Sequence, residues 1–164
     1  MARLHALVVA LGVSAAVPAA AEVIVLPHTK ATVTLGAEWK PVLAPALVAA
    51  YRSDNGLVLA ITRAQIPNPD AWRAKTREAY ADEIERGVTT GIRGYKRLAR
   101  VLAERQGIPA LDLEARRADG VTIVLRVLLF RTYALTVAIE VPRKADLAAA
   151  RAITRSFGLP APAP

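Results

Sequence analysis

The strongest hydrophobic pattern of the chain lies between residues 109 and 141, where apolar positions recur with the period of β-strands. Two short turn-forming segments interrupt the pattern, at residues 118–120 and 130–132. The stretch therefore predicts three consecutive antiparallel strands. Because its apolar patterning is the densest in the chain, we expect the core sheet to form around it. It contains no recognisable catalytic constellation.

The register across the first turn can be argued from burial. A two-residue loop would set Glu114 opposite Leu125, which places a carboxylate beside the best core positions, whereas a three-residue loop sets Leu113 opposite Leu125. Because a slip of one residue moves every side chain to the other face, the apolar match favours the longer loop, with Gly120 in the left-handed conformation. The same register pairs Leu111 with Val127, Ala115 with Ile123, and Asp112 with Arg126 as a modest ion pair.

The same reasoning at the second turn predicts another three-residue loop, residues 130–132. It sets Val127 opposite Leu135 and Leu125 opposite Val137, and it also sets Ile123 opposite Ile139. The other face of these strands is apolar too, with residues Val124, Leu128, Ala134 and Ala138. Both faces of the predicted sheet therefore need a covering element.

Two stretches with helical periodicity can provide this cover. The first is expected to begin at the N-cap Asn68 with Pro69 in the first turn, and to end at Gly87. Its apolar stripe, interpreted as core rather than as a ligand-stacking surface, consists of Trp72, Thr76, Ala79, Tyr80 and Ile84. The second helix spans residues 146–157. The predicted class is α+β, an antiparallel meander flanked by two main helices in an α/β/α sandwich.

Shorter apolar runs predict the remaining strands. Residues 22–26 and 31–35 form one strand pair, and residues 46–52 and 57–63 form a hairpin around an Asn-Gly turn. Residues 95–104 predict a further strand that carries several cations and reaches the core stretch through a turn at Gln106-Gly107. No internal repeat is present.

Residues 1–21 have the three-part pattern of a secretory signal peptide, with Arg3, an apolar run and a final Ala-Ala-Ala. Cleavage is expected after Ala21, which predicts export to the periplasm or the medium. Residues 22–158 then form a single α+β domain, and residues 159–164 form a disordered Pro/Ala tail. An uncleaved anchor is the alternative. The mature chain has no other apolar run long enough to span a membrane.

The chain is strongly basic, with a formal net charge of +8 that becomes +7 once Arg3 is removed with the signal peptide. Such a surface favours anionic partners, or it can simply be a soluble arginine-rich surface. The cations considered as anion or partner contacts lie on two predicted neighbouring strands: Lys96, Arg97, Arg100, Arg105, Arg116 and Arg117. Alternation should divide them between two faces. Nucleic acid is not expected, because only Tyr95 accompanies these cations.

The residues that carry common chemistries are scarce. The chain has no cysteine, and only His28 remains after signal removal, so cysteine sites and multi-histidine metal sites are excluded. Ser53 and Ser156 lack a nucleophile-elbow context. A carboxylate cluster on the first helix, Asp82, Glu83 and Glu85, is interpreted as solvated surface balanced by Arg77 and Arg86. We therefore expect no catalytic, metal or cofactor-binding residues.

Several short motifs resemble the PsbP-like superfamily across most of residues 22–158. They are Gly36-Ala37-Glu38-Trp39, Asp54-Asn55-Gly56, Gly107-Ile108-Pro109-Ala110, Asp119-Gly120, Tyr133 and Ser156-Phe157. The resemblance implies an antiparallel sheet with helices and a role as an accessory, chaperone-like or binding protein. Several exported bacterial members are lipoproteins, and the absence of cysteine departs from that pattern.

These observations lead to one main functional expectation and two alternatives. The main expectation is an exported, non-enzymatic accessory protein that binds a protein or an anionic component of the cell envelope. The first alternative is an envelope hydrolase that uses carboxylates scattered along the sequence. The second is an electrostatic binder of anionic membrane surface.

Overall fold

The computed structural model describes residues 21–66 and 77–160. Most of the predicted signal peptide, the predicted start of the first helix with Trp72 and Thr76, and the end of the Pro/Ala tail lie outside these described residues. The predictions made for them therefore stay predictions. The side chain of Tyr80 also lies outside the described part.

The described residues form two antiparallel sheets and two α-helices. The strands are β1 (Glu22–Val25), β2 (Thr32–Leu35), β3 (Trp39–Pro41), β4 (Ala49–Ser53), β5 (Val58–Gln65), β6 (Lys96–Arg105), β7 (Ile108–Arg116), β8 (Thr122–Leu129) and β9 (Tyr133–Val141). Helix α1 (Arg77–Thr89) precedes β6, and α2 (Leu147–Ser156) follows a short 3-10 turn after β9. Strands β1 and β2 pair with each other, while the larger sheet has the order β3-β4-β5-β9-β8-β7-β6. The α+β class is confirmed.

The predicted register between β7 and β8 is confirmed. Leu113 lies opposite Leu125, and the other predicted pairs are also present. The Arg117 N–H donates to the Val121 carbonyl at 2.9 Å, which closes a three-residue loop. Gly120 has a φ of +88° in this loop, a conformation that side chains with a Cβ rarely adopt.

The predicted register between β8 and β9 was wrong by one residue. Leu125 lies opposite Ala138 and Val127 lies opposite Thr136. The Phe130 N–H donates to the Tyr133 carbonyl at 2.9 Å, so the loop has two residues rather than three. The large side chains of β8 on one face thus lie beside small ones of β9, a match in volume that an apolar-to-apolar rule overlooks. The stacked rings of Phe130 and Tyr133, 4.6 Å apart, flank the turn.

The core consists of two apolar clusters that share strand β8. Val124 and Leu128 belong to one cluster, together with Phe157 just after α2 and residues of β1, β2, β5 and β9. The intervening residues Leu125 and Val127 belong to the other cluster, to which α1 contributes Ala81 and Ile84. Both faces of β8 are therefore buried, as the apolar pattern on both faces predicts.

The first helix does not end at Gly87 but continues to Thr89, so the predicted end was wrong. Val88 packs against the second apolar cluster, and this burial offsets the cost of about 1 kcal/mol for glycine within a helix. The second helix is confirmed, with Ala150 and Thr154 buried as its spacing predicts. No helix among residues 21–66 and 77–160 has both the length and the apolar character needed to cross a bilayer.

Candidate functional site

Strand β6 forms one edge of the larger sheet. Nine of its ten residues pair with β7 on one side, all except Leu98 at a bulge, and no strand of the described residues pairs with the other side. Nearly the whole strand is exposed. The exposed residues include three large apolar side chains: Val101 is 56% exposed, Leu98 43% and Leu102 38%. An exposed strand edge that also carries apolar side chains is a candidate interaction surface.

Two of the six candidate cations are held by carboxylates of α1. Arg97 donates from Nη1 to Glu85 Oε2 at 2.9 Å. Arg100 donates from Nη1 to Asp82 Oδ1 at 2.5 Å and to Glu85 Oε2 at 3.3 Å, and its Nη2 reaches the Glu78 carbonyl at 3.3 Å. Both side chains therefore point towards α1. They attach the helix to the first half of β6.

The bulge between Arg97 and Ala99 explains why these two arginines share a face. In a regular strand, residues three apart point to opposite faces, and the predicted alternation rested on that rule. The bulge adds one residue and restores Arg100 to the side of Arg97. The prediction that alternation places the cations of this strand on two faces was therefore wrong for Arg97 and Arg100. The apolar pattern of the sequence does not reveal a bulge.

Glu85 is the centre of this contact, and its interpretation as solvated helix surface was wrong. It is only 8% exposed. Besides the two arginines it accepts a hydrogen bond from Tyr95 Oη, at 2.5 Å from Oε1. Burial, and then the hydrogen bond to Glu85, raise the pKa of Tyr95. The partners of Glu85 come from outside its own helix, at least ten residues along the chain, so helical spacing could not reveal them.

Arg117 is held at the turn between β7 and β8. Its Nε donates to both carboxylate oxygens of Asp119, at 2.9 and 3.0 Å, and its Nη1 donates to Glu140 at 2.8 Å. The hydrogen bond from Arg117 lowers the pKa of Asp119, with a further contribution from the Val121 N–H. The hydrogen bond to Asp119, and then the charge of Glu140, raise the pKa of Arg117. This arginine stabilises the turn.

The other three candidate cations, Lys96, Arg105 and Arg116, form no ion pair or side-chain hydrogen bond with the described residues. Lys96 and Arg116 occupy directly opposite positions on β6 and β7, whereas Arg105 lies at the other end of β6. All three are exposed. The predicted basic set therefore consists of three cations bound within the protein and three with no such contact among residues 21–66 and 77–160.

Sequence reasoning underestimated a second arginine–carboxylate contact, between Arg126 and Asp112. The predicted cross-strand pair is present, but Arg126 is 1% exposed and bidentate, with bonds of 2.6 and 2.7 Å. Its Nη1 also donates to the carbonyls of Arg155 and Phe157, at 2.9 and 3.4 Å. A planar guanidinium with several donors can satisfy all of these acceptors. The contact joins the centre of the sheet to the end of α2.

A wide apolar groove of about 650 Å³ lies beside α1. Its floor consists largely of small residues of β5 and β9, among them Ala60, Ala64, Ala134 and Ala138. The polar residues that line it are Thr62, Gln65, Glu83, Thr136 and Glu140, and the last of these is bound to Arg117. No group of three or more potential metal-binding side chains is found within residues 21–66 and 77–160.

Comparison with known proteins identifies the fold. No protein-family model matches the chain, and no curated protein matches it. Among solved structures, the chain is similar to cyanobacterial PsbP (CyanoP) from Synechocystis sp. PCC 6803, with a TM-score of 0.65 and 14% identity over 90% of this chain and 96% of that one. PA94 from Pseudomonas aeruginosa is 16% identical over 87% of this chain and 99% of that one, with a TM-score of 0.44 that is too low to support a shared fold. The chain has a PsbP-like fold.

Proposed function

We propose that this chain, with its PsbP-like fold, is an exported, non-enzymatic accessory protein that binds a partner protein in the cell envelope. In this proposal the binding surface is the exposed edge formed by β6 and its free cations. The two helices are proposed to cover opposite faces of the larger sheet, as an α/β/α sandwich, because each contributes to a different apolar cluster. The sheet edges are then the main free surfaces.

The observation that carries the proposal is the combination of exposed apolar side chains and free cations on one strand. Val101, Leu98 and Leu102 are exposed between Lys96 and Arg105. Interfaces between proteins combine apolar contact area with complementary charge, which supports a protein partner over a small ligand. An accessory role also agrees with what the PsbP-like resemblance implies.

The hydrogen bonds between carboxylates and arginines support a role without catalysis. Acid–base catalysis needs a carboxylate that can exchange a proton with a substrate. Glu85, Asp112, Glu114 and Glu140 are instead each bound to an arginine, at distances between 2.6 and 2.9 Å. These hydrogen bonds occupy carboxylate oxygens that an acid–base group would need for a substrate. This weighs against the alternative of a hydrolase with scattered carboxylates.

The proposal includes export, which rests on the signal-peptide pattern of residues 1–21. The test is the intact mass of the protein recovered from the envelope fraction of a bacterial host. We expect a chain that begins at Glu22. Recovery of a chain that still carries residues 1–21, or recovery from the cytosol alone, would contradict export.

Site-specific photo-crosslinking in cells of the source species tests the binding role. A photoreactive amino acid replaces Val101 on β6 in one variant and Leu43 in a control; Leu43 is 92% exposed and lies outside the strands. We expect a discrete crosslinked protein product from position 101 and none from position 43. The absence of a product at 101, or the same product at both positions, would count against partner binding by this edge.

The alternative of a membrane-surface binder is tested with vesicles. Lys96, Arg105 and Arg116 would also attract anionic lipid, and that attraction falls strongly with salt. The proposal predicts little sedimentation with anionic vesicles at about 0.15 M salt, where surface charges are screened within roughly 8 Å. Strong sedimentation that is lost when Lys96 and Arg105 are replaced by glutamate would favour the membrane reading instead.

A further inference from the structure

We propose that β6 accepts an added β-strand from an acidic, extended segment of the partner, so that the partner continues the sheet beyond its basic edge. This inference rests on the proposed function and states how the partner binds and what chemistry it has. It is carried by the edge of β6 that no described strand pairs with, by the apolar side chains along it, and by the cations at both ends that no described residue binds.

The backbone of β6 provides the hydrogen-bonding groups for such an addition. The strand has ten residues, and β7 satisfies only the groups on one side. A two-residue turn at Gln106 and Gly107 joins the strands, so Arg105 and Ile108 are expected to form a hydrogen-bonded pair. Counting back by alternation, the N–H of Leu102 points away from β7. It is available to an added strand.

The side chains along the edge give an added strand something to pack against. A groove of about 510 Å³ runs beside β6 and is lined by Glu78, Arg97, Leu98, Ala99, Arg100 and Leu102. Arg97 and Arg100 are held by α1, so one wall of the groove is fixed before a partner binds. On the opposite face, Val101 is the most exposed of the large apolar residues of the strand. Main-chain bonds and alternating side-chain contacts are the two components of strand addition.

The charges select the chemistry of the partner. Lys96 and Arg105 lie at the two ends of β6, and Arg116 lies directly opposite Lys96 on β7. None of the three is neutralised by the described residues. A partner strand with carboxylates near its two ends and apolar or β-branched residues between them would match this order of cation, apolar residue and cation. An acidic segment is therefore the fitting occupant.

A second copy of this chain fits the same edge poorly. Strand β6 contains Lys96, Arg97, Arg100 and Arg105 against one carboxylate, Glu104. If two copies paired antiparallel around the middle of the strand, Lys96 of each copy would face Arg105 of the other, and Glu104 would face Arg97, which Glu85 already binds. Like charges directly opposite on neighbouring strands are destabilising. The charge pattern thus favours a different protein over self-association.

Charged residues and bulges on edge strands also protect proteins from aggregation. Strand β6 has both, yet protection alone would favour a polar edge throughout. The middle of β6 instead exposes Val101 and Leu102, which increase the tendency of an unpaired edge to pair. The cations therefore restrict which strands can pair with this edge, rather than preventing all pairing.

A synthetic peptide provides a direct test. The probe is a nine-residue peptide with two acidic residues at each end and alternating valine and threonine between them. Two control peptides carry lysine in place of the acidic residues, or N-methyl groups on alternate backbone amides. We expect saturable binding of the acidic peptide, at least about tenfold weaker binding of the N-methylated peptide, and no binding of the lysine peptide. Equal binding of the acidic and N-methylated peptides would overturn strand addition.

Matched variants of the protein separate backbone from side-chain effects. Leu102→Pro removes the outward N–H and should reduce peptide affinity at least tenfold, whereas Leu102→Ala keeps that N–H and should reduce it only about threefold. Circular dichroism and the midpoint of urea unfolding verify that both variants are folded. If the proline variant is unfolded, the unmodified and N-methylated peptides are compared on Leu102→Ala, which keeps the backbone N–H, and equal affinity of the two peptides for that variant would contradict the backbone contact.

Charge reversal tests the acidic character of the partner. Lys96→Glu with Arg105→Glu should weaken peptide binding about tenfold at 0.15 M salt. The control, Lys30→Glu with Arg131→Glu, changes the net charge by the same amount at exposed positions outside β6 and β7 and should change affinity less than about twofold. Equal effects of the two pairs would contradict a local contact.

The outcomes distinguish this inference from the proposed function. If position 101 crosslinks to a partner but the acidic peptide does not bind, the added acidic strand is overturned and partner binding still stands. A dimer of this chain formed through β6 has the same consequence. Peptide binding with no crosslinked partner in cells supports the acceptor edge and overturns the function proposed for it.

Discussion

The tripeptide Arg-Val-Leu occurs twice in the larger sheet, as residues 126–128 of β8 and residues 100–102 of β6. On β8 all three side chains are buried, and Arg126 reaches Asp112 and the end of α2. On β6 the valine and the leucine are exposed, and Arg100 lies against carboxylates of α1. The two strands are separated only by β7.

The comparison shows that position in the sheet, rather than local sequence, determines the role of these residues. Strand β8 has a neighbour on each side and an apolar cluster on each face, so its residues hold the fold together. Among the described residues, strand β6 has one neighbouring strand, and most of its side chains are exposed. The same side chains that stabilise the centre therefore form a potential contact surface at the edge.

The largest difference is expected between Arg126→Met and Arg100→Met. The first leaves Asp112 and two carbonyls near α2 without their donor and should lower the free energy of unfolding by about 4 kcal/mol. The second breaks more exposed contacts and should cost about 1 kcal/mol. Urea unfolding followed by circular dichroism measures both. The double variant with Asp112→Leu should recover part of the first loss, and equal losses for the two arginines would contradict the comparison.

The leucines of the two tripeptides should differ in the same direction. Leu128→Ala creates a cavity in the core and should cost about 3 kcal/mol. Leu102→Ala removes a partly exposed side chain and should cost less than about 1 kcal/mol. The same urea titration measures this difference. A cost at Leu102 close to that at Leu128 would mean that β6 is covered within the free protein.

Gly94 tests how β6 is held beside the rest of the sheet. Its φ is +66°, and a Cβ at this position would lie 2.6 Å from the Ala118 Cβ. The neighbouring Arg93 carbonyl accepts a hydrogen bond from the Ala118 N–H at 3.1 Å. Gly94→Ala should therefore cost about 2 kcal/mol. Gly91→Ala, where a Cβ would meet nothing within 4 Å, is the control and should change the free energy of unfolding little.

The smallest effect is a pH dependence from Tyr95, which lies next to β6. Its pKa in the folded protein is raised above the ordinary value of 10.0, first by burial and then by Glu85. Such a group contributes stability that is fully present below pH 10 and is lost as the pH rises through the folded pKa. We expect the phenolate absorbance of the folded protein to show a late titration step that Tyr95→Phe reduces, while Tyr51, whose pKa burial also raises, keeps the remainder. In denaturant all tyrosines should titrate near pH 10, and a late step unchanged by Tyr95→Phe would place the effect elsewhere.

The parts of the fold that follow from local pattern could be predicted from the sequence. The register of β7 on β8 depends on neighbouring apolar residues and on Gly120, and it was predicted correctly. The register of β8 on β9 was missed, because it depends on matching large side chains of β8 with Ala134, Thr136 and Ala138. To match side-chain volumes, one must know which helices and strands cover each face of the sheet. A sequence pattern that distinguishes only apolar from polar residues does not contain that information.

The candidate site was only partly predictable. The cations were identified from their high density along two predicted strands. The sequence did not indicate which of them are bound within the protein and which are not. That separation depends on Glu85 and Glu140, which reach Arg97 and Arg117 from other elements. The bulge in β6 also reversed the expected alternation after Arg97. Contacts of this kind depend on tertiary placement, so spacing along the chain does not reveal them.

Hydrogen exchange of the backbone amides, measured by mass spectrometry with and without the acidic peptide, tests the central claim most directly. Amides of β8 should exchange slowly in both samples, because both edges of that strand are paired. Within residues 98–103, the amides that point away from β7, Leu102 among them, should exchange faster in the free protein and slow at least about tenfold when the peptide is bound. Two results would contradict the assignment of β6 as the binding edge. One is that the amides of β6 in the free protein are already as protected as those of β8. The other is that the peptide protects only amides of residues that line the groove beside α1.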